Sequence, residues 1–234
     1  MILKRRREMK PVREIPIQSL SVGGKFPSRK NKRMVSYESQ LELAFLYHLE
    51  FSPEVKEYVE QPCKVKSPSG KFYVPDFLVF FTDPLRKPLL VEIKYLRDVK
   101  RDLDRMLTKL ETLEKFVYEK GYDFKLFTDK ELLTERLKNY KFLYGYLSPP
   151  VAESDYHEFT QNVVNLVKKE QPIRVIDVAN VLGRGNFTLR GLYLSTVWHL
   201  IATSVLWVNL DEELTNHSFV YVVKPIETKE RCLL

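Results

Sequence analysis

"FYVPDFLVFFTDPLRKPLLVEIKYLRD", residues 72–98, carries an Asp and a Glu-x-Lys inside runs of aromatic and β-branched residues that otherwise read as buried strands. In a strand, Val91 and Ile93 point to one face while Glu92 and Lys94 point to the other, so a carboxylate and an ammonium become neighbours on the same side. Asp76 opens the adjacent predicted strand. Two carboxylates one strand apart offer hard oxygen ligands at the short distances that Mg²⁺ requires, and a lysine beside them can orient or help deprotonate a water. The competing reading of VEIK alone is a solvent-facing ion pair on a half-buried strand. Pro75-Asp76 at the head of a second buried strand favours the chemical reading.

A third carboxylate is expected on the preceding helix. In SYESQLELAFLYHLEF, Leu41, Ala44, Phe45, His48 and Leu49 recur at helical spacing, Ser36 is placed to cap the start and Pro53 ends the run. Glu38 and Glu42 fall one turn apart on it, and either could reach a metal. Glu42 also fits a capping box with Ser39, and Glu38 fits a first-turn acid favoured by the helix dipole.

Further along, VKEYVEQPCKVKSPSGKFYVPDFLVFF reads as strands joined by the turn at SPSG, and PLLVEIKYL as another strand. From Asp98 to Lys120 apolar residues at Val99, Leu103, Met106, Leu107, Leu110, Leu113 and Val117 follow helical period, with Gly121 as the stop. DFKLFTD then reads as a strand, and Thr128 or Asp129 as the cap of a helix through KELLTERLKNY. The helix between the last two strands acts as a crossover and makes them parallel. The fold class expected is α/β, a mixed sheet flanked by helices over residues 34–147, closed by the boundary in LSPPVAES. Residues 148–234 read as three helices and a two-stranded ribbon formed by VLWVNL and SFVYVV about DEELTNH, the outline of a small winged helix.

Charge is distributed unevenly. Residues 1–33 hold 11 Lys or Arg against Glu8 and Glu14, 11 − 2 = +9, whereas the whole chain carries +7, so the rest sums to 7 − 9 = −2. A basic N-terminal arm over 1–33 is the footprint of phosphate contact, and Arg29, Lys30, Lys32 and Arg33 are its candidate DNA-binding residues; a solubility tail is the alternative. Residues 150–223 carry five basic and eight acidic residues, 5 − 8 = −3, and a mostly apolar last helix, so protein contacts are expected there before groove reading. Trp198 and Trp207 are expected in the core. A chain of 234 residues, 44% hydrophobic, supports buried cores rather than disorder. Its two distant cysteines show no zinc spacing, no run is long and apolar enough for a membrane span, and no leader pattern opens the sequence, so a reducing bacterial cytoplasm is the expected setting.

In order and spacing, GKFPSRKNKRMVSYESQLELAFLYHLEF, VEQP, VPDFLVFF, LLVEIK and LFTDKE resemble the TnsA endonuclease subunit of heteromeric transposases, over residues 14–135. The resemblance implies a restriction-endonuclease-like core with a PD-(D/E)xK site that uses Mg²⁺, with Mn²⁺ as a substitute, to cut the 5′ ends of a transposon. It implies Glu42, Asp76, Glu92 and Lys94 as the catalytic set, with Glu42, Asp76 and Glu92 as metal ligands. The partners it implies are transposon-end DNA, a DDE-type (TnsB-like) transposase and an AAA+ ATPase (TnsC-like) regulator met through the C-terminal region. The same motif would serve a stand-alone repair or restriction nuclease, and a degenerate site would leave only a DNA-binding regulator.

Overall fold

The computed structural model describes residues 11–12 and 23–222. Most of the expected basic arm, residues 1–10 and 13–22, lies outside them, as does the tail after 222. The chain forms two compact units that divide between Leu133 and Thr134.

In the first unit, β1 (Gly24–Ser28) and β2 (Arg33–Tyr37) form an antiparallel hairpin ahead of helix α1 (Gln40–Phe51). The main sheet has the order β3 (Val55–Glu60), β6 (Phe77–Phe81), β7 (Leu89–Ile93), β8 (Asp123–Phe127), antiparallel across the first two pairings and parallel at the last. The parallel pair is the one expected from its crossover, which consists of α2 (Leu96–Arg101) and α3 (Leu103–Lys120). Gly121 stops α3 in the left-handed region at φ 69°, as its sequence position predicts. The SPSG turn does join a hairpin, but a small one, β4 (Val65–Lys66) with β5 (Phe72–Tyr73); it is an excursion between β3 and β6, which pair with each other. Every side chain of β6 and β7 is buried, because α1 and α3 leave neither face of the central strands to solvent.

An aromatic core sets the site. The Phe45 ring lies 5.4 Å from that of Phe77 and 5.1 Å from that of Phe127. Phe45 stands one helical turn after Glu42, and Phe77 follows Asp76. Burying these three rings, each fully enclosed, contributes about 2–3 kcal/mol apiece and locks α1, β6 and β8 in one register.

The apolar pattern of α3 is only partly used. Thr112, Leu113 and Val117 are buried, while Leu103 and Leu107 are 51% and 46% exposed. The single helix expected through KELLTERLKNY is two: α4 (Asp129–Leu132), begun by a Thr128–Glu131 capping box, and α5 (Glu135–Tyr144). The break coincides with the division between units, so α5 belongs to the second unit and the division falls ahead of the boundary expected at 147/148.

The second unit contains α5, α6 (Glu153–Glu170), β9 (Ile173–Arg174), α7 (Val175–Gly183), α8 (Phe187–Ala202) and β10 (Phe219–Val220). The ribbon differs from its expectation. Among the described residues, SFVYVV contributes two residues that pair with β9, and VLWVNL meets it through the bridge from Trp207 to Tyr221. The 210–214 loop between them is held by polar contacts: Arg136 forks onto Asp211 at 3.0 and 2.9 Å, and the Asn139 amide donates to Leu210 O and Glu212 O at 2.8 and 2.7 Å. Trp198 is core, edge-on to Phe142 at 4.9 Å, whereas Trp207 is half-buried against Tyr221.

Candidate active site

Glu92 is completely buried on β7. Its Oε1 accepts from Lys94 at 2.9 Å and from Lys109 of α3. Its Oε2 is enclosed without a hydrogen-bond partner. The solvent-facing ion pair that an isolated E-x-K would suggest is therefore not what forms: α3 covers this face of β7 and takes Glu92 out of water.

Asp76 sits at the head of β6, beside Glu92. Its N–H donates to Val91 O at 3.0 Å, its carbonyl accepts from Gln61 N at 2.8 Å, and its Oδ2 accepts from Ile93 N at 2.6 Å and lies 3.6 Å from Lys94 Nζ. Gln61 holds this carbonyl from the left-handed region at φ 44°, a conformation uncommon for a residue with a side chain. Burial, then the nearby Glu92 charge, push the Asp76 carboxyl up to about 8. Lys94 is held above its ordinary range by Asp76 and Glu92 in spite of its own burial. Its Nζ also donates to Ile93 O at 2.8 Å, so the ammonium is centred between the two carboxylates.

Helix α1 starts later than its sequence suggests. Ser39, not Ser36, is the N-cap, accepting from Glu42 N at 3.1 Å; Ser36 belongs to β2, and Glu38 precedes the helix instead of lying a turn inside it. Glu42 reaches back over the helix start without closing the expected capping box: Ser39 Oγ donates to its Oε1 at 3.0 Å, and the amide bound by its Oε2, at 2.8 Å, is that of Glu38, one residue ahead of the cap. Burial raises its carboxyl, the Lys94 charge acts on it, and its own charge acts on Asp76, so one side chain serves both the helix start and the carboxylate cluster. Glu42, Asp76, Glu92 and Lys94 thus come together, but in this arrangement Glu42 is engaged at the helix start, Asp76 Oδ2 by Ile93 N–H and Glu92 Oε1 by the two lysines, which leaves Glu92 Oε2 unpartnered. Among the described residues no three His, Cys, Asp or Glu side chains are disposed as a finished metal cage.

Residues 52–129 match the family model of the TnsA-like endonuclease N-terminal domain. This chain carries a TnsA-like endonuclease domain. Asp76, Glu92, Lys94 and Lys109 all lie within the matched stretch; Glu42 lies ahead of it. No curated protein matches the chain. The TnsA-like domain also contains two residues that sequence reading passed over, Gln61 and Lys109. Gln61 shows no chemical signal in sequence. Lys109 does show one: it falls four residues before Leu113 and eight before Val117, on the buried face of α3, where a lysine needs a partner.

The four expected DNA contacts lie in the β1–β2 hairpin and divide by environment. Arg33 makes a two-pronged bond to Glu60, with NH1 at 2.6 Å, which raises the guanidinium's pKa. Lys30 reaches the end of α1, donating to Ser52 O and Val55 O at 2.5 Å each, and its burial lowers its pKa. Arg29 and Lys32 are exposed. Arg33→Ala leaves Glu60, whose side chain is 4% exposed, without its guanidinium; we expect a loss of about 1–3 kcal/mol, against roughly 0.5 or less for Lys32→Ala. Chemical denaturation of the two variants measures the contrast.

Proposed function

We propose that this protein is the metal-dependent endonuclease subunit of a transposase, cutting the 5′ ends of a transposon beside a DDE-type transposase and an AAA+ regulator. The observation that supports it best is the buried cluster of Asp76 and Glu92 around Lys94 inside the stretch that matches a TnsA-like endonuclease domain, with Glu42 joining it from the helix ahead of that stretch. The donor set suits a hard divalent cation. Glu92 offers an enclosed, unpartnered oxygen, and crowded carboxylates that resist ionisation are the environment a cation relieves. Asp76 and Glu92 would hold Mg²⁺ or Mn²⁺, with Glu42 joining if its cap opens. The ion would supply Lewis-acid stabilisation of the scissile phosphate.

The chain's own residues carry the remaining roles. Lys94, held as an ammonium by its two carboxylates, stands where it can orient an attacking water and steady the charge that builds on the scissile phosphate. Ile93 N–H fixes the Asp76 carboxylate, and α3 and the Phe45–Phe77–Phe127 core exclude bulk water from the far side. Arg29 and Lys32 contact phosphates; replacing both with Ala should flatten the log-log salt dependence of DNA binding by roughly 0.9 per lost contact. The second unit serves the regulator. Its helix–strand–helix–helix order, with the strands and bridge at 173–174, 207 and 219–221, supports a winged helix, and its acidic balance disfavours a phosphate surface.

The test is cleavage of strand-labelled transposon-end duplex by the chain together with its transposase and regulator. Mg²⁺-dependent scission at the 5′ ends, abolished by EDTA, supports the reading. Scission of unrelated duplex by the chain alone would favour a repair or restriction nuclease, and no scission under either condition would refute nuclease function.

A further inference from the structure

We propose that Lys109 is a positioning residue for the metal site: it grips Glu92 by Oε1, so that Oε2 is left as the ligand oxygen. This rests on the metal-dependent reading above. Glu92 is wholly buried, yet all its hydrogen bonds converge on one of its two oxygens, Lys94 from its own strand and Lys109 from across the α3 packing face. A buried carboxylate is normally bonded through both oxygens, and an unpartnered one is expensive. Its retention beside two lysines is the pattern expected of an atom reserved for another partner.

The seat of Lys109 is built, not incidental. Its side chain is 16% exposed, its ammonium lies 5.9 Å from the centre of the Tyr73 ring, and its helix is anchored behind it by buried Thr112 and Leu113. The division of labour between the lysines follows. Lys94 is shared between Glu92, Asp76 and Ile93 O, whereas Lys109 has Glu92 as its only carboxylate among the ion pairs of the described residues. Lys109 therefore holds Glu92 still while Lys94 turns to the water.

Mn²⁺ titration of the full chain without DNA, followed by electron paramagnetic resonance, tests the assignment. Outer partners of metal ligands typically contribute 10–100-fold to affinity, so Lys109→Met should weaken Mn²⁺ binding by about that factor. Lys109→Arg, which can reach the same oxygen, should recover most of it. Thermal unfolding of both variants identifies any that fail to fold, and Lys109→Arg against Lys109→Gln repeats the comparison if Met is not tolerated. Unchanged or tighter binding in the variant lacking the cation would overturn the proposal while Asp76→Ala still abolished binding, because Lys109 would then be only a counter-charge. Failure of the wild-type chain to bind Mn²⁺ would instead overturn the metal site, and this inference with it.

Discussion

Asp76→Ala will convert the transposition products from simple insertions into cointegrates. The substitution removes the carboxylate that Ile93 N–H holds at 2.6 Å and that lies 3.6 Å from Lys94, leaving Glu92 as the only strand carboxylate on the site. Removing one preorganised electrostatic group from a site that stabilises developing charge typically lowers the rate about 10²–10³-fold, so 5′-strand scission should fall at least that far. Under the function proposed above, strand transfer belongs to the partner transposase and does not use this site. The 3′ ends are joined to the target while the 5′ strands stay attached to the donor, and replication resolves that intermediate into a cointegrate. Lys94→Ala should give the same products, because the water would be bound without a group to orient it. The ratio of simple insertions to cointegrates, scored in cells that supply the partner proteins and in which the variant is shown to be folded, measures the effect. A wild-type ratio in Asp76→Ala would mean that another site cuts the 5′ strand.

Asp76→Asn will make the metal-free protein more stable at pH 8, although it abolishes cleavage. The folded-state pKa of Asp76, about 8, lies above its ordinary value of 3.8. The folded chain therefore binds a proton that the unfolded chain has released, and stability is lost as pH climbs through that interval and levels off above it. Glu42, also raised by burial, acts in the same direction. Lys94 is raised from 10.5, so its contribution is fully present below that value and adds no slope here. Asn keeps an oxygen for the Ile93 N–H and has no charge to desolvate. In EDTA, wild type should lose stability between pH 5 and pH 8, and Asp76→Asn should melt roughly 5–10 °C higher at pH 8, the equivalent of a few kcal/mol in a chain of this size, with little difference at pH 5. Mg²⁺ should then raise the melting temperature of wild type and not of the variant. Parallel melting curves for the two proteins from pH 5 to 8 would show that Asp76 is ionised without penalty.

By itself the sequence determined the strands, the crossover and the chemical cast of the site. Period-two and period-3.6 patterning, Gly121 and the spacing of Pro75-Asp76 from Glu92-Ile93-Lys94 are local signals, written in side-chain order and backbone geometry. They were enough for the mixed sheet with β7 and β8 parallel and for Asp76, Glu92 and Lys94 on one side of it. Tertiary structure decided what each group is bonded to. No local pattern says that Glu92 is enclosed by α3 and meets Lys109 seventeen residues on, that Ser39 outcompetes Ser36 for the helix start, or that Arg33 and Lys30 are bound by Glu60 and by carbonyls at the end of α1. The same is true of α3, whose apolar stripe is longer than the surface offered to it, so Leu103 and Leu107 stay exposed. A charge brought out of water must find partners wherever the chain delivers them, and those partners are set by packing across distant segments. For that reason the meeting of Asp76, Glu92 and Lys94 was legible in the sequence, and their protonation, their hydrogen bonds and the second lysine were not.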